Sequence, residues 1–333
     1  MFFTCRVCGK TGDGQGYRIR EMFYGSHEEF DYVQCPSCRC LQIATIPTDM
    51  GRFYPSGYYA HSIIDERSLL HGCKAFLRRQ RNRYLLFNKG MMGRILCRCF
   101  PADFPLWLFA GLDGLEHMAI LDVGCGSGRL PYQLKEAGIK GVLGIDLYIE
   151  KDIVYGNGLS IKKQSLPDIR NTETRFDLIM FNHSFEHMPE PEDILKTAAS
   201  VLTDSGTVLI RIPTVDSLAW EHYRENWVQI DAPRHLYLHS RASLDIVAAK
   251  AGLRVAEVVY DSDSFQFWGS EQYLRNIPLE SERSYHCAPS KSIFTKRQIC
   301  EFQRRAVDLN RANRGDMAAF HLRKLLPDER PSS

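Results

Sequence analysis

The sequence predicts an α/β fold: a doubly wound, mainly parallel sheet with a small N-terminal zinc ribbon and helical extensions. Three observations carry this. From about residue 117 short apolar runs alternate with helix-like segments, the pattern of a sheet whose strands are joined by crossover helices. One such run, "AILDVGCGSGRL" at residues 119–130, passes through alternating glycines into a helix-like stretch. The first forty residues hold two C-x-x-C pairs, Cys5/Cys8 and Cys35/Cys38.

The bulk numbers are compatible with this. The chain has 333 residues, 44% hydrophobic and 25% charged, enough for one large domain and a smaller one. A net charge of +2 gives no argument for wholesale nucleic-acid binding, so a nucleic-acid partner is not expected. No apolar run reaches the length of a membrane span, and "MFFTCRVCGK" lacks the pattern of a secretory signal, so a cytoplasmic location is expected. Eleven cysteines in such a setting read as thiols or metal ligands rather than disulfides.

The elements follow in order. Each C-x-x-C pair is spaced as a knuckle that aims two thiolates at one ion. Four thiolates make the closed tetrahedron of a structural zinc site, with Cys5, Cys8, Cys35 and Cys38 as ligands and Cys40 as an alternative to Cys38. "YRIREMFYG" and "EEFDYVQC" between and beside the pairs read as ribbon strands, and the module is assigned to residues 1–60. Residues 61–112 form a basic helical connector. Its segment 74–98 interleaves arginines with apolar residues as amphipathic helices with a cationic face. That face reads as a linker helix with arginines in water, the commoner case, or as a peripheral contact with anionic membrane or a phosphorylated substrate.

Residues 113–262 form the ligand-binding domain. "AILDVG" is a strand and "GRLPYQLKEAG" a helix ended by Gly138. "KGVLGIDLY" is a strand ending at Asp146, and "RFDLIMFNHS" is a later one. "PEDILKTAASVLTDSG" reads as a helix, "GTVLIRIP" as a strand, "SRASLDIVAAKAG" as a helix capped by Ser240, and "LRVAEVVYD" as a last strand. In such sheets a ligand lies at the carboxyl ends of the strands. That brings the glycine turn, Asp146 and the loop from Asn182 to His187 to one crevice.

The dinucleotide fingerprint G-x-G-x-x-G fails at its third position, which is Arg129, and this counts against a nicotinamide oxidoreductase. Asp122 stands on the strand before the turn, where a carboxylate repels a pyrophosphate and pairs with an ammonium group. S-adenosylmethionine carries an ammonium and no phosphate, and Asp146 is spaced to accept from two ribose hydroxyls. The balance is towards that donor.

"LDVGCGSGRL", "GIDLY" and "FDLIMFNHSFEHMPEP" resemble the successive motifs of class I S-adenosylmethionine-dependent methyltransferases. The N-terminal cysteine pairs with "YPSGYYA", and the later "DAPRHLYLHS" and "GDMAAFHLRK", are similar to bacterial methyltransferases of surface-polysaccharide gene clusters. The resemblance implies that Asp122 lies near the donor's amine, and that Gly124, Gly126 and Gly128 admit its methionine part. Asp146 with Leu147 would hold the ribose, Gln164, Ser165 and Leu166 would neighbour the adenine, and Asn182 would lie beside the donor. The acidic residue usual at the adenine is missing. The implied acceptor is a small molecule or carbohydrate, methylated at oxygen or, second, at nitrogen.

Three histidines are candidate bases: His183, His187 and His235. For Glu186 and His187 the competing reading, bracing of the loop, is the commoner outcome. The same "EH" pair resembles ubiquinone-biosynthesis O-methyltransferases, which bind a divalent ion with a neighbouring glutamate. Here His183 occupies that glutamate's place, and no catalytic metal is expected. The insertion 213–240 offers Trp220, Tyr223, Trp227, Arg234 and Tyr237 either as stacking faces for an acceptor or as core. Residues 263–333 read as a C-terminal helical extension. An RNA or protein methyltransferase, and a non-catalytic donor-binding scaffold, remain the alternatives.

Overall fold

A computed structural model describes residues 1–55, 63–64, 73–100, 106–109 and 112–325. The motif "YPSGYYA" lies largely outside the described residues. The chain forms two compact units: residues 1–55, 185–195 and 211–320 make the first, and 56–184, 196–210 and 321–333 the second.

In the first unit, β1 (Phe2–Thr4) and β2 (Thr11–Asp13) form an antiparallel hairpin. β3 (Gln15–Arg20), β4 (Glu29–Gln34) and β5 (Leu41–Ile43) follow as an antiparallel meander. In the second unit, the helices α1 (Cys73–Phe87) and α2 (Met91–Cys99) fall where the basic connector was expected. Then come β6 (Ala119–Val123), α3 (Arg129–Ala137), β7 (Gly141–Ile145), β8 (Ile153–Val154), β9 (Ser160–Lys162) and β10 (Phe176–Asn182). The helix α3 stops at Gly138, whose φ of 116° supplies the left-handed terminus foreseen for it.

The remaining elements are α4 (Pro191–Val201), β11 (Leu202–Pro213), α5 (Leu218–Tyr223), β12 (Tyr237–Leu238), α6 (Arg241–Lys250), β13 (Leu253–Tyr260), α7 (Phe265–Leu274), α8 (Lys296–Arg311) and β14 (Met317–Lys324). β11 starts at Leu202, inside the stretch read as helix end. A capping box between Ser240 and Ser243 opens α6.

An eight-stranded sheet has the order β13-β14-β11-β10-β6-β7-β9-β8. β10, β6, β7 and β9 pair in parallel, and β8 closes the edge antiparallel to β9. The chain runs outward from β6 through β7 and β9, then returns to β10 on the other side of β6. The switch point therefore lies at the carboxyl ends of β6 and β10. Ile120, Leu121, Leu178 and Ile179 are wholly buried, as parallel strands covered on both faces require.

The C-terminal extension is not helical throughout: "MAAFHLRK" is β14, seated between β13 and β11. Its run from Met317 to Leu322 is buried at every position, and a stretch covered on both faces has no period by which sequence can tell strand from helix. Of the two readings left open for the insertion aromatics, the structure selects core: Trp220, Trp227 and Tyr237 are buried. The Trp227 indole donates to Asp316 (2.9 Å), and the Tyr237 hydroxyl to the Pro189 carbonyl (2.8 Å).

The ribbon does not end as a separate module near residue 60. β12, from the insertion, pairs antiparallel with β5, giving a four-stranded sheet of order β12-β5-β4-β3. The Tyr32 hydroxyl also donates to the His235 carbonyl (2.8 Å), so the N-terminal strands and the insertion share one buried interior.

Candidate functional site

The glycine turn belongs to the second unit. Val123 ends β6, and Gly124, Gly126 and Gly128 all have positive φ, at 71°, 57° and 87°. The structure gives Gly124 and Gly128 a reason beyond ligand approach. A Cβ on Gly124 would lie 2.6 Å from that of Ser184, whose hydroxyl donates to the Val123 carbonyl at 2.6 Å. A Cβ on Gly128 would lie 2.5 Å from the Ile161 Cδ1. Protein atoms, packed on a left-handed backbone, demand glycine at both positions.

Asp146 follows β7 directly. Its Oδ2 accepts from the Gly126 N–H and its Oδ1 from the Tyr148 N–H, each at 2.8 Å. The carboxylate ties the glycine turn to the end of β7, and each oxygen keeps a second lone pair for a ligand. Asp122 lies next to Met180 and Gly144 in register, 2% exposed, and its Oδ1 is buried without a hydrogen-bond partner. Burial pushes the Asp122 carboxyl well up, and the nearby Asp146 charge adds to this. A cationic group brought there would stabilise it as a carboxylate. The Ser127 hydroxyl is a second buried group without a partner, which sequence reasoning did not single out. An ammonium-bearing, phosphate-free donor fits these residues. Arg129, against which the dinucleotide reading was weighed, is exposed, so its bulk does not disturb the packing of the turn.

Leu147 is half exposed beyond β7, Gln164 is exposed, Ser165 is half-buried and Leu166 is buried. Ser165 donates through its hydroxyl (2.7 Å) and its N–H (2.8 Å) to Asp168. An acid thus stands beside this segment after all, a few residues later than the sequence pattern looked for it. Asn182 ends β10 half-buried. His183 follows at φ 53°, a backbone conformation that L residues rarely adopt.

The other two histidines belong to the first unit. His187 Nδ1 lies 2.8 Å from the Arg234 carbonyl and 3.3 Å from the Tyr54 hydroxyl, and His235 Nδ1 lies 2.7 Å from the Gln229 carbonyl. A carbonyl only accepts, so each ring carries a proton on Nδ1. The rings meet edge to face at 4.8 Å. His235 Nε2 lies 3.8 Å from both Glu186 Oε1 and Asp231 Oδ2. Burial, with the neighbouring His235, holds the His187 imidazole below its ordinary range. Burial works to raise the Asp231 carboxyl, but the Arg234 guanidinium prevails and holds it below the usual range. Arg234 is fully buried between Asp231, the Phe53 carbonyl (3.2 Å) and the Phe23 ring (4.4 Å).

Glu186, His187 and His235 offer one carboxylate and two imidazoles with ligand atoms within 4.8 Å of one another, a set that could hold a divalent ion. Glu186 and His187 were visible as a pair. Nothing in the sequence tied them to His235, which meets both directly in the fold.

The four cysteines converge as expected. Sγ of Cys5 and Cys38 are 3.6 Å apart, and those of Cys8 and Cys35 are 3.7 Å apart. Zn–S bonds of about 2.3 Å in a tetrahedron put sulfurs about 3.8 Å apart, so the spacing fits zinc. Cys40 is not in the cluster; its thiol faces the Leu41 carbonyl (3.7 Å). Nearby, a cavity of about 340 Å³ is lined by Gln34, Arg39, Trp220 and Arg224 among others, and none of the three candidate bases borders it.

Comparison with known proteins adds the following. Residues 78–258, over half of the chain, match the model of a family described as a methyltransferase domain. The ubiquinone biosynthesis O-methyltransferase of Haemophilus ducreyi is 32% identical over 110 residues, 29% of this chain and 46% of that protein. Its counterpart in Hydrogenovibrio crunogenus is 29% identical over 166 residues, 44% of this chain and 66% of that protein. The chain thus spans about half to two thirds of the length of these relatives. Among solved structures, the cyclopropane synthase MmaA2 of Mycobacterium tuberculosis has 17% identity and a TM-score of 0.37, with 62% of this chain and 78% of that one covered.

Proposed function

The chain belongs to the methyltransferase-domain family and is an S-adenosylmethionine-dependent methyltransferase of the class I, Rossmann-like kind, and on that premise we propose that it methylates a hydroxyl oxygen of a small acceptor with His183 as general base. The observation that supports the donor's place is the buried, partnerless Asp122 oxygen beside the Asp146 carboxylate that organises the glycine turn. Asp122 would face the donor's ammonium, Asp146 and Leu147 its ribose, and Ser165 and Leu166 its adenine, with Gln164 and Asn182 at the edges.

The methyl passes from the sulfonium to the acceptor oxygen, leaving S-adenosylhomocysteine, and the hydroxyl proton goes to His183. Among the three candidate bases, His183 alone shares a unit with the glycine turn. The carbonyl bonds of His187 and His235 favour a bracing role. The preference for oxygen over nitrogen rests on relatives named as O-methyltransferases. A carbohydrate acceptor from surface-polysaccharide synthesis rests on sequence resemblance alone, since the aromatics that would stack on a sugar are buried. The four cysteines would hold a structural zinc with no open position for catalysis.

The test is formation of S-adenosylhomocysteine against panels of phenolic, sugar and RNA acceptors, with His183→Gln alongside. A positioned base contributes roughly 10²–10⁴-fold. His183→Gln should lower kcat by that order and leave donor affinity intact; an unchanged kcat ends the assignment. Turnover on RNA alone would replace the acceptor class. Donor binding without turnover on any panel would favour the scaffold.

A further inference from the structure

The helix α2 turns its apolar side outward. Its Gly93 packs so closely on α1 that a Cβ there would lie 2.4 Å from the Gln80 carbonyl oxygen and 2.5 Å from the Tyr84 Cβ. That contact sets which side of α2 is covered. At 100° per residue Met91 and Ile95 fall opposite Gly93 and Met92 on one flank; they are 82%, 61% and 49% exposed. Phe100, just past the helix, is 60% exposed. Of the sixteen large apolar side chains exposed among the described residues, six fall between Phe76 and Trp107. A soluble surface normally scatters such residues, and their concentration in one segment marks a contact site.

The charge of the same segment is one-sided. Residues 73–100 hold eight lysines and arginines and no acidic residue. Arg78 is committed to Glu136 (3.0 Å) and Lys89 to Glu116 (2.9 Å). Arg94 and Arg98, one turn apart, border the apolar side of α2 and form no ion pair among the described residues. The arrangement is therefore an apolar strip edged by exposed guanidinium groups.

From this juxtaposition we infer that α2 is a membrane-surface anchor: it lies in the interface of an anionic bilayer, with Met91, Met92 and Ile95 among the acyl chains and Arg94 and Arg98 at the phosphates. The described helices include none long and apolar enough to span a bilayer, so the contact is peripheral. A second copy is a poor occupant, because it would bring the same uncompensated positive charge. RNA would meet the arginines, but methionine and isoleucine have no ring face on which a base stacks. The inference goes beyond the proposed acceptor chemistry, and its test does not depend on it.

The experiment is co-sedimentation of the full chain with phosphatidylcholine vesicles, with and without phosphatidylserine. Binding to the anionic vesicles and weak binding to the neutral ones is expected. Arg94→Glu/Arg98→Glu should weaken it at least 25-fold, taking about fivefold per basic residue at the surface. Met91→Ser/Ile95→Ser should weaken it about tenfold or more through lost apolar burial. Both substitution sites are exposed, and an unchanged melting temperature with retained S-adenosylmethionine binding confirms that each variant is folded. Failure to sediment with anionic vesicles overturns the inference. So does binding that the arginine variant loses and the Met91→Ser/Ile95→Ser variant keeps, which would mark a general polyanion site. Self-association of the free protein that Met91→Ser/Ile95→Ser disperses would also overturn it, by making the strip an interface between copies.

Discussion

The glycine turn and the histidine cluster are built by opposite routes. The turn is contiguous, and its geometry is set by positive-φ glycines and by hydrogen bonds from the Gly126 and Tyr148 N–H groups to one carboxylate. The cluster takes Tyr54 from the end of the N-terminal segment, Glu186 and His187 from the loop after β10, and Asp231 and His235 from the insertion. Its parts meet only because β12 joins the sheet of β3, β4 and β5. A local motif tolerates remote changes and fails at single atoms; a composite one depends on the packing of everything around it.

The largest expected effect lies on the composite side. Cys35→Ser/Cys38→Ser removes half of the thiolates beside the sheet to which β12 belongs. Structural zinc supplies roughly 10–16 kcal/mol in small zinc-folded domains, and a loss on the order of 5 kcal/mol is expected here. Metal content and thermal denaturation with and without chelator measure it. A metal-free parent protein with an unchanged transition would remove zinc from the account.

Asp146→Ala strikes the local motif next. It removes the acceptor of two charge-assisted backbone hydrogen bonds, a change of about 3 kcal/mol, or roughly 100-fold in donor affinity by titration calorimetry. Retained affinity would show that the turn holds its shape without the carboxylate.

Gly128→Ala should cost about 2 kcal/mol, combining a left-handed φ of 87° with a Cβ driven into Ile161. Ile161→Val removes the Cδ1 atom in the way, so the double variant should recover part of the loss in denaturant titrations. Strict additivity of the two changes would mean that backbone strain, not the contact, dominates.

The smallest effect is a pH dependence in the first unit. Burial lowers the His239 imidazole from its ordinary 6.5 to about 4. Its folded value lies below its unfolded one, so the contribution to stability is complete above pH 6.5 and is lost as pH falls towards 4. One pH unit below 6.5 the loss is about 1.4 kcal/mol. His239→Phe keeps a ring beside Phe185 and Tyr237 and should flatten the dependence of stability on pH over that window. An unchanged slope would assign the acid sensitivity to other groups.

Legibility follows the same division. The strands β6, β7 and β10, the helix α3 with its stop at Gly138, and each cysteine knuckle were readable, because each depends on residues close in sequence. The strand character of Met317–Leu322 was not, since a run buried at every position carries no period. The buried state of Trp220, Trp227 and Tyr237 was not either, because an aromatic-rich segment reads alike whether it faces a ligand or its own core.

By itself, then, the sequence determined the glycine turn, the carboxylates Asp122 and Asp146 beside it, and the two cysteine pairs that converge. In each case the chemistry requires given residue types at short, regular spacing. Only the tertiary structure decided that the N-terminal strands and the insertion share one sheet, that His235 meets Glu186 and His187, and that α2 turns Met91 and Ile95 outward. Those outcomes depend on long-range strand pairing and on which side of a helix is covered, as at Gly93 against α1, and neither is encoded in any single stretch of chain.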